Sequence, residues 1–357
     1  MVNHACNLRC SYCYTGAKFH SPMSKRIGEI AIARALGSVR SGGGLDLGFF
    51  GGEPLLEAAQ VIDWMLHSRL RASEDNKSVR FHLTTNGTLA TGRAWEVMTS
   101  EDLDLTISFD GLARIHDRHR RDARGQPTSA LVEATLRRLI ELGKPLRVNV
   151  VVRPDNLEEL PEGLIHLRDL GVVHVDLSLD LWTQWNVADG SRLERFVDRA
   201  AELWRAWLPQ FSLNWFDGKI GDLARLPLSE ETTRCGFGDG EIAVAPSGNL
   251  YPCERLIGED GPNHPRRLPG HVLDGREDFV ADPLSFVACD PCSRCVIASV
   301  CDTRCRCSNY VRTGDVNRPD GLLCLLNKAT GRAACAALTG APALAKSFPA
   351  NHTETLS

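Results

Sequence analysis

Cys6-Asn7-Leu8-Arg9-Cys10-Ser11-Tyr12-Cys13-Tyr14 sets a C-x3-C-x2-C array at the start of this 357-residue chain. Three thiols this close leave one unpaired in any disulfide scheme. Closely spaced Cys thiolates are, however, the usual ligands of iron–sulfur clusters. A four-iron cubane held by three of them keeps one iron open to another molecule. That open position separates a catalytic metal site from a closed structural one. A zinc knuckle short of one ligand is the competing reading of the same three residues.

The other cysteines are segregated from these. Of 13 in the chain, three lie at positions 6–13 and ten from Cys235 onward, with none between. Two metal-binding regions follow, separated by a Cys-free stretch. Residues 1–20 are polar and Cys-rich, unlike a secretory signal, and no apolar run reaches the ~18–20 residues that span a bilayer. The expected compartment is therefore the cytoplasm, where thiols stay reduced and read as metal ligands, with no membrane partner. A formal charge of −4 gives no basic field for nucleic acid. The length allows two domains, or one α/β domain with an appendage.

Between the two regions, strand-length apolar runs alternate with amphipathic stretches. Leu45–Phe50, Val79–Thr84, Leu103–Phe109, Leu146–Val152 and Val172–Leu179 read as buried parallel strands. Arg26–Val39, Leu55–Leu70 and Leu131–Leu142 read as helices. In the second, Leu55, Ala58, Ala59, Ile62, Leu66 and Arg69 share one face by i, i+3, i+4 spacing. Such alternation implies crossover connections and a parallel sheet. With Met1–Ala5 counted as a strand stub, about six strands are available, too few for a closed eight-stranded barrel. Leu193–Leu208 is expected to be a helix burying Trp204 and Trp207. The Ala-rich segment from Thr330 is expected to be weakly ordered.

Three strand ends carry polar or glycine-rich turns, where α/β sheets build their sites. Phe50-Gly51-Gly52-Glu53-Pro54 follows the first run, and its glycines permit close approach to backbone. Thr84-Thr85-Asn86-Gly87 follows the second. Ser108-Phe109-Asp110-Gly111, with His116, Asp117 and Arg120 beyond, follows the third. Together with the Cys array, these turns resemble the radical S-adenosylmethionine (radical SAM) superfamily. The resemblance implies that S-adenosylmethionine (SAM) chelates the open iron of a 4Fe–4S cluster on Cys6, Cys10 and Cys13. It further implies that Gly51, Gly52 and Glu53 receive the SAM amino group, and that Ser108 and Arg120 approach its ribose and carboxylate. Tyr12, Asn86 and Leu177 complete the expected cofactor contacts, although Leu177 or Leu179 could equally be core. In barrel-type members a strand precedes the Cys loop. Here only Met1–Ala5 are available for it, so a late start or a lost upstream segment is expected, and no N-terminal peptide-recognition domain.

The C-terminal third resembles the seven-cysteine SPASM pattern of radical SAM enzymes that mature peptides and proteins. Cys235 and Gly248-x4-Cys253 are followed by Cys292-x2-Cys295-x5-Cys301-x3-Cys305 and by Cys324. The resemblance assigns Cys292, Cys295, Cys301 and Cys324 to an outer auxiliary 4Fe–4S cluster, and Cys235, Cys253 and Cys305 to an inner one. The inner cluster either takes Cys289 or Cys307 as fourth ligand or keeps an open iron. A pair of zinc ribbons would use similar spacing. Glu254, directly after Cys253, stands where formylglycine-forming relatives carry a carboxylate base; pairing with Arg255 is the alternative.

The expected architecture is thus α/β: a partial (β/α)6 TIM-like barrel over 1–185, a helical linker over 186–230, a Cys-rich SPASM domain over 231–329 and a tail over 330–357. The resemblance implies reductive cleavage of SAM to a 5′-deoxyadenosyl radical that modifies a ribosomally made peptide or a protein by crosslinking or thioether formation. It also implies an electron donor such as flavodoxin or ferredoxin. Sulfatase maturation by formylglycine formation is the alternative, and a non-catalytic zinc scaffold is the alternative from another class.

Overall fold

All five apolar runs become strands in the computed structural model, which describes residues 1–225, 237–238, 240–261, 264–279, 292, 294–295, 297–298, 301 and 305–339. The strands are β1 (Gly44–Phe49), β2 (Ser78–Thr85), β3 (Leu103–Ser108), β4 (Leu146–Val152) and β5 (His174–Leu179). A sixth, β6 (Ser212–Leu213), completes a parallel sheet in chain order β1 to β6. The α/β class with six parallel strands is therefore as expected, but the sixth strand is not the N-terminal stub. Met1–Ala5 instead runs beside the turn after β1. Val2 N–H donates to the Phe50 carbonyl at 2.7 Å, and Gly52 N–H and Glu53 N–H donate to Asn3 and Ala5 carbonyls at 2.9 Å. β6 arises in the segment read as a linker, because Ser212–Leu213 pairs in parallel with His174–Val175 of β5.

The chain forms two compact units. The first comprises Met1–Phe109, His116–Arg147 and Gly236–Leu284 and carries β1 to β3. Helices α1 (Lys25–Gly37), α2 (Ala58–Glu74), α3 (Gly92–Met98) and α5 (Ser129–Glu141) belong to it; α4 (Ala113–His119) precedes α5. Leu83, Leu105, Ile107 and Phe81 form its fully buried core. α2 forms where expected, but its buried face is Ala58, Val61, Trp64, Met65, Ser68 and Ala72. Leu66 is left half exposed, at 50%. The Trp64 ring, stacked 6.5 Å from Phe49, sets the rotation, since burying the largest apolar group outweighs one Leu. A two-stranded hairpin, β7 (Ala243–Val244) and β8 (Leu250–Tyr251), ends at Cys253. Its Ala243 and Tyr251 pack with Met1, Ala245, Ile257 and Phe50.

The second unit, Asp110–Ile115, Val148–Cys235 and Ser285–Ser357, carries β4 to β6. Helices α6 (Leu160–Leu170), α7 (Val187–Trp207), α8 (Asn214–Arg225), α9 (Arg306–Thr313) and α10 (Gly321–Thr339) belong to it. α7 buries Trp204 completely, and its indole N–H donates to Asp217 of α8 at 2.9 Å. Trp207 is only half-buried, with Arg168 over its ring. The segment expected to be weakly ordered from Thr330 continues α10 as far as Thr339, because Thr330, Ala333, Ala334 and Cys335 are buried. Small side chains let that helix pack closely.

Candidate metal and cofactor site

The Cys array is a loop fastened along its length to residues 119–123. Arg9 N–H donates to the Arg121 carbonyl at 2.8 Å and Ser11 N–H to the His119 carbonyl at 3.0 Å, with a bridge between Leu8 and Asp122. The Ser11 hydroxyl meets His119 Nδ1 at 2.7 Å. Tyr12 lies beside the His119 ring, at 5.5 Å, and under the Arg120 guanidinium, at 5.2 Å. A tight turn, Cys13 N–H to the Cys10 carbonyl at 3.2 Å, sets the last two cysteines on one bend.

The loop's other side is held by the turns after β1 and β2. Glu53 is buried, and its carboxylate accepts from the Thr85 hydroxyl at 2.7 Å, Asn86 N–H at 2.8 Å and Leu55 N–H at 3.1 Å. Burial pushes its pKa up against those bonds. Asn86 Nδ2 donates to Asn7 Oδ1 at 2.9 Å and stands 3.8 Å from Cys6 Sγ. Its Oδ1 accepts from the Thr88 hydroxyl and N–H. The Gly-Gly step is needed by the protein itself. A Cβ on Gly52 would stand 2.1 Å from the Ala5 carbonyl oxygen and 2.6 Å from that of His4. Gly52 thus lets residues 3–5 lie against this turn, a role not evident in the expectation of ligand approach.

The sulfurs are surrounded by donors. Leu8 N–H points at Cys6 Sγ at 3.3 Å, and Lys18 Nζ lies 3.0 Å from Cys13 Sγ, with the Thr15 hydroxyl at 3.3 Å. Burial, then Glu53 and the neighbouring thiols, pushes Cys6 up to about 11. Burial also opposes the Cys13 thiolate, but the Lys18 ammonium and bonds from Lys18 and Thr15 outweigh it and hold that thiol below its ordinary value. Donors aimed at sulfur suit metal-bound thiolates, whose partners orient and tune them. Among the described residues no three His, Cys, Asp or Glu side chains converge on a single ion. A cubane takes one thiolate per iron, so it asks for a wider spacing than tetrahedral zinc, with Zn–S of about 2.3 Å. Three thiolates with N–H donors on their sulfurs are the kind of donor set that a cubane takes.

The remaining expected contacts divide. Ser108, at the end of β3, and Arg120 are buried in the same unit as the loop, and Arg120 lies near enough to lower the Glu53 pKa. Leu177 is in the second unit, in its core, with backbone bonds to the Asn214 side chain. His116 and Asp117 serve the fold. The His116 ring bonds the Thr128 hydroxyl, and Asp117 accepts from Thr128 N–H, Ser129 N–H and the Ser129 hydroxyl, capping α5. Lys18, Thr15 and Asn7 are additions of the structure; no spacing rule singles them out.

Of the C-terminal cysteines, Cys235 and Cys289 lie outside the described residues. The described ones form no disulfide with one another. In the second unit Cys295 N–H bonds the Cys292 carbonyl, and Cys295 packs with Cys301 and Ile297. Cys324 is pushed up to about 11 by burial first and by Cys301 and Cys295 next, which places the outer set in one neighbourhood. Cys305 and Cys307 stand 3.3 Å apart, sulfur to sulfur, and that contact, with burial, raises the Cys305 pKa. Cys253 belongs to the first unit, with its thiol 3.4 Å from Glu254 Oε2. Tyr14 feels the charges of both Cys13 and Glu254, and burial raises its phenol pKa. Two ends of the sequence, the Cys6–Tyr14 array and the Cys253–Glu254 turn, thus meet within one unit.

Residues 2–167 match the Radical SAM superfamily model. Those residues are a radical SAM domain. Such a domain implies SAM and a 4Fe–4S cluster. Among curated relatives of this radical SAM chain, the cysteine-type anaerobic sulfatase-maturating enzyme of Clostridium perfringens is 23% identical, over 85% of this chain and 87% of its own. The PqqA peptide cyclase of Bradyrhizobium diazoefficiens is 22% identical, over 89% and 83% respectively. The solved structure of native anSMEcpe with bound AdoMet and the Kp18Cys peptide matches with a TM-score of 0.77 at 20% identity, covering 97% of both chains. That likeness establishes a shared fold along nearly the whole length. Among the described residues, no helix is long and apolar enough to cross a membrane.

Proposed function

We propose that this chain is a radical SAM enzyme that covalently modifies a ribosomally made peptide or a protein, forming a crosslink or thioether. One observation carries the reading. The Cys6–Cys13 loop is clamped between the Glu53–Asn86 turns and the His119–Asp122 segment, with donors aimed at its sulfurs. Relatives whose names specify peptide or protein substrates support the substrate class.

SAM and the cluster, when bound, would supply radical chemistry able to take hydrogen from an unactivated carbon. The protein's part is to place and exclude. Cys6, Cys10 and Cys13 would hold the cluster, and Asn7, Asn86 and Glu53 fix the loop. Arg120 and Ser108, buried nearby, would offer a guanidinium and a hydroxyl to the carboxylate and ribose of SAM. Cys292, Cys295, Cys301 and Cys324 would hold an outer auxiliary cluster, and auxiliary clusters would supply one-electron acceptor chemistry. The reductant is a one-electron protein of the flavodoxin or ferredoxin class, in the cytoplasm.

A second reading, formylglycine formation in a sulfatase, is favoured by the Glu254 carboxylate beside Cys253 and by the sulfatase-maturating relatives. One experiment tests both. The protein is reconstituted without oxygen and given SAM, dithionite and either the peptide encoded beside its gene or a sulfatase-derived peptide. Deoxyadenosine and peptide mass are then followed together. Mass loss confined to the neighbouring peptide supports crosslinking; formylglycine in the other supports the second reading. Zinc in place of iron, with no charge-transfer absorption, would sink both.

A further inference from the structure

Lys18 makes a contact that its sequence position does not announce. Its ammonium lies on Cys13 Sγ at 3.0 Å, on the Gly16 carbonyl at 3.0 Å and on the Thr15 hydroxyl. A lysine ammonium has three N–H donors, and each has an acceptor here. Thr15 is buried at 3% exposure and itself contacts Cys13 Sγ. Gly16, at φ +70°, bends the chain so that Lys18 returns over the thiol five residues before it. The neighbouring titratable groups are Glu259, whose Oε1 takes Ala17 N–H at 3.4 Å, and the His4 ring, which burial holds toward its neutral form. Neither occupies the ammonium's donors. A lysine ordered in this way gives up rotamer freedom that a solvated lysine keeps, and the acceptor it orders upon is a cluster ligand.

We propose that Lys18 tunes the Cys6/Cys10/Cys13 cluster: its cation, seated on the Cys13 sulfur, raises the cluster's reduction potential. The inference rests on Cys13 being a ligand of that cluster. Reduction adds one electron and one negative charge to the cluster core. A fixed positive charge at a ligand sulfur stabilises the reduced form more than the oxidised one. Hydrogen bonds to cluster sulfurs and net charge are among the recognised determinants of cluster potential. The consequence is a cluster that a protein donor can fill. Lys18 is a positioning residue, since it touches a ligand and not the reacting atoms.

The test is an anaerobic potentiometric titration of the reconstituted full chain, read by electron paramagnetic resonance. The signal followed is the one that changes when SAM is added, which isolates the open-iron cluster from the auxiliary ones. At the native midpoint the native protein is half reduced. Lys18→Met should lower the reduced-to-oxidised ratio about tenfold, equivalent to 59 mV for one electron. Lys18→Arg keeps the charge and should stay near the native midpoint. Superimposed native and Lys18→Met titrations would overturn the proposal, as would Lys18→Arg shifting as far as Lys18→Met. If Lys18→Met fails to retain the cluster, Lys18→Gln, which keeps an N–H donor but no charge, decides by the same criterion. A native protein with no SAM-sensitive signal would instead remove the cluster assignment itself.

Discussion

Glu53 shows how much one side chain does here. Its two oxygens satisfy a hydroxyl and two backbone N–H groups, and those bonds tie the turn after β1 to the end of β2. Glu53→Gln keeps the shape, but in either amide orientation one backbone donor, of Asn86 or Leu55, loses its acceptor. Urea unfolding should show a loss of about 1–3 kcal/mol, the cost of a buried unsatisfied group. Because burial raises the Glu53 pKa, its contribution is fully present below the ordinary carboxylate range and falls as pH rises through the raised value. The gap between native and variant should therefore narrow with increasing pH. Glu254 offers a second test at this scale. Glu254→Gln should leave deoxyadenosine formation intact while modified product falls by about 10²–10⁴-fold, the usual worth of general acid–base catalysis. Unchanged product by mass spectrometry would return Glu254 to a purely structural role.

Single elements depend on partners distant in sequence. α5 opens at Ser129 after Thr128, whose own side chain makes no capping bond. Its N-terminal N–H groups are met instead by Asp117, 11 and 12 residues upstream. Asp117→Ala should therefore cost about 0.5–2 kcal/mol, the range for loss of a helix cap, measured by thermal or denaturant unfolding. An unchanged midpoint would mean that water replaces the cap. The same segment braces the cluster loop from Arg121 and His119, so iron retention in Asp117→Ala would show whether the brace survives loss of the cap.

Across the whole molecule the cysteines form separate sets, and their independence is measurable. Oxygen-free reconstitution should give a brown protein with about twelve irons per chain if three cubanes form. Changing Cys6, Cys10 and Cys13 together to Ala should abolish deoxyadenosine formation and leave the auxiliary iron in place. The outer set gathers in the second unit and the array lies in the first, so neither needs the other's sulfurs. Deoxyadenosine persisting in the triple variant would contradict the assignment. Loss of all iron would show that the sets fold cooperatively.

The linear sequence determined the class of fold, because five buried strands announce themselves as apolar runs and helical faces by their period. It also made the Cys6, Cys10 and Cys13 array legible as a candidate metal site, because ligand spacing within one loop is a local property. Gly51-Gly52-Glu53 was legible as a strand-end turn for the same reason. Tertiary structure alone decided the rest. The sixth strand is two residues long, and Ser212–Leu213 has no apolar period of its own; it exists because β5 offers an unpaired edge. The rotation of α2 was settled by the Trp64 ring stacking on Phe49, a contact across elements. Thr330–Thr339 lacks large apolar groups yet remains helical, since its small side chains are buried in the second unit. Lys18, Thr15 and Asn7 carry no sequence signal because they act through hydrogen bonds whose geometry depends on backbone turns. Spacing along a chain encodes which groups can share a metal, whereas the donors that tune it are assigned by packing.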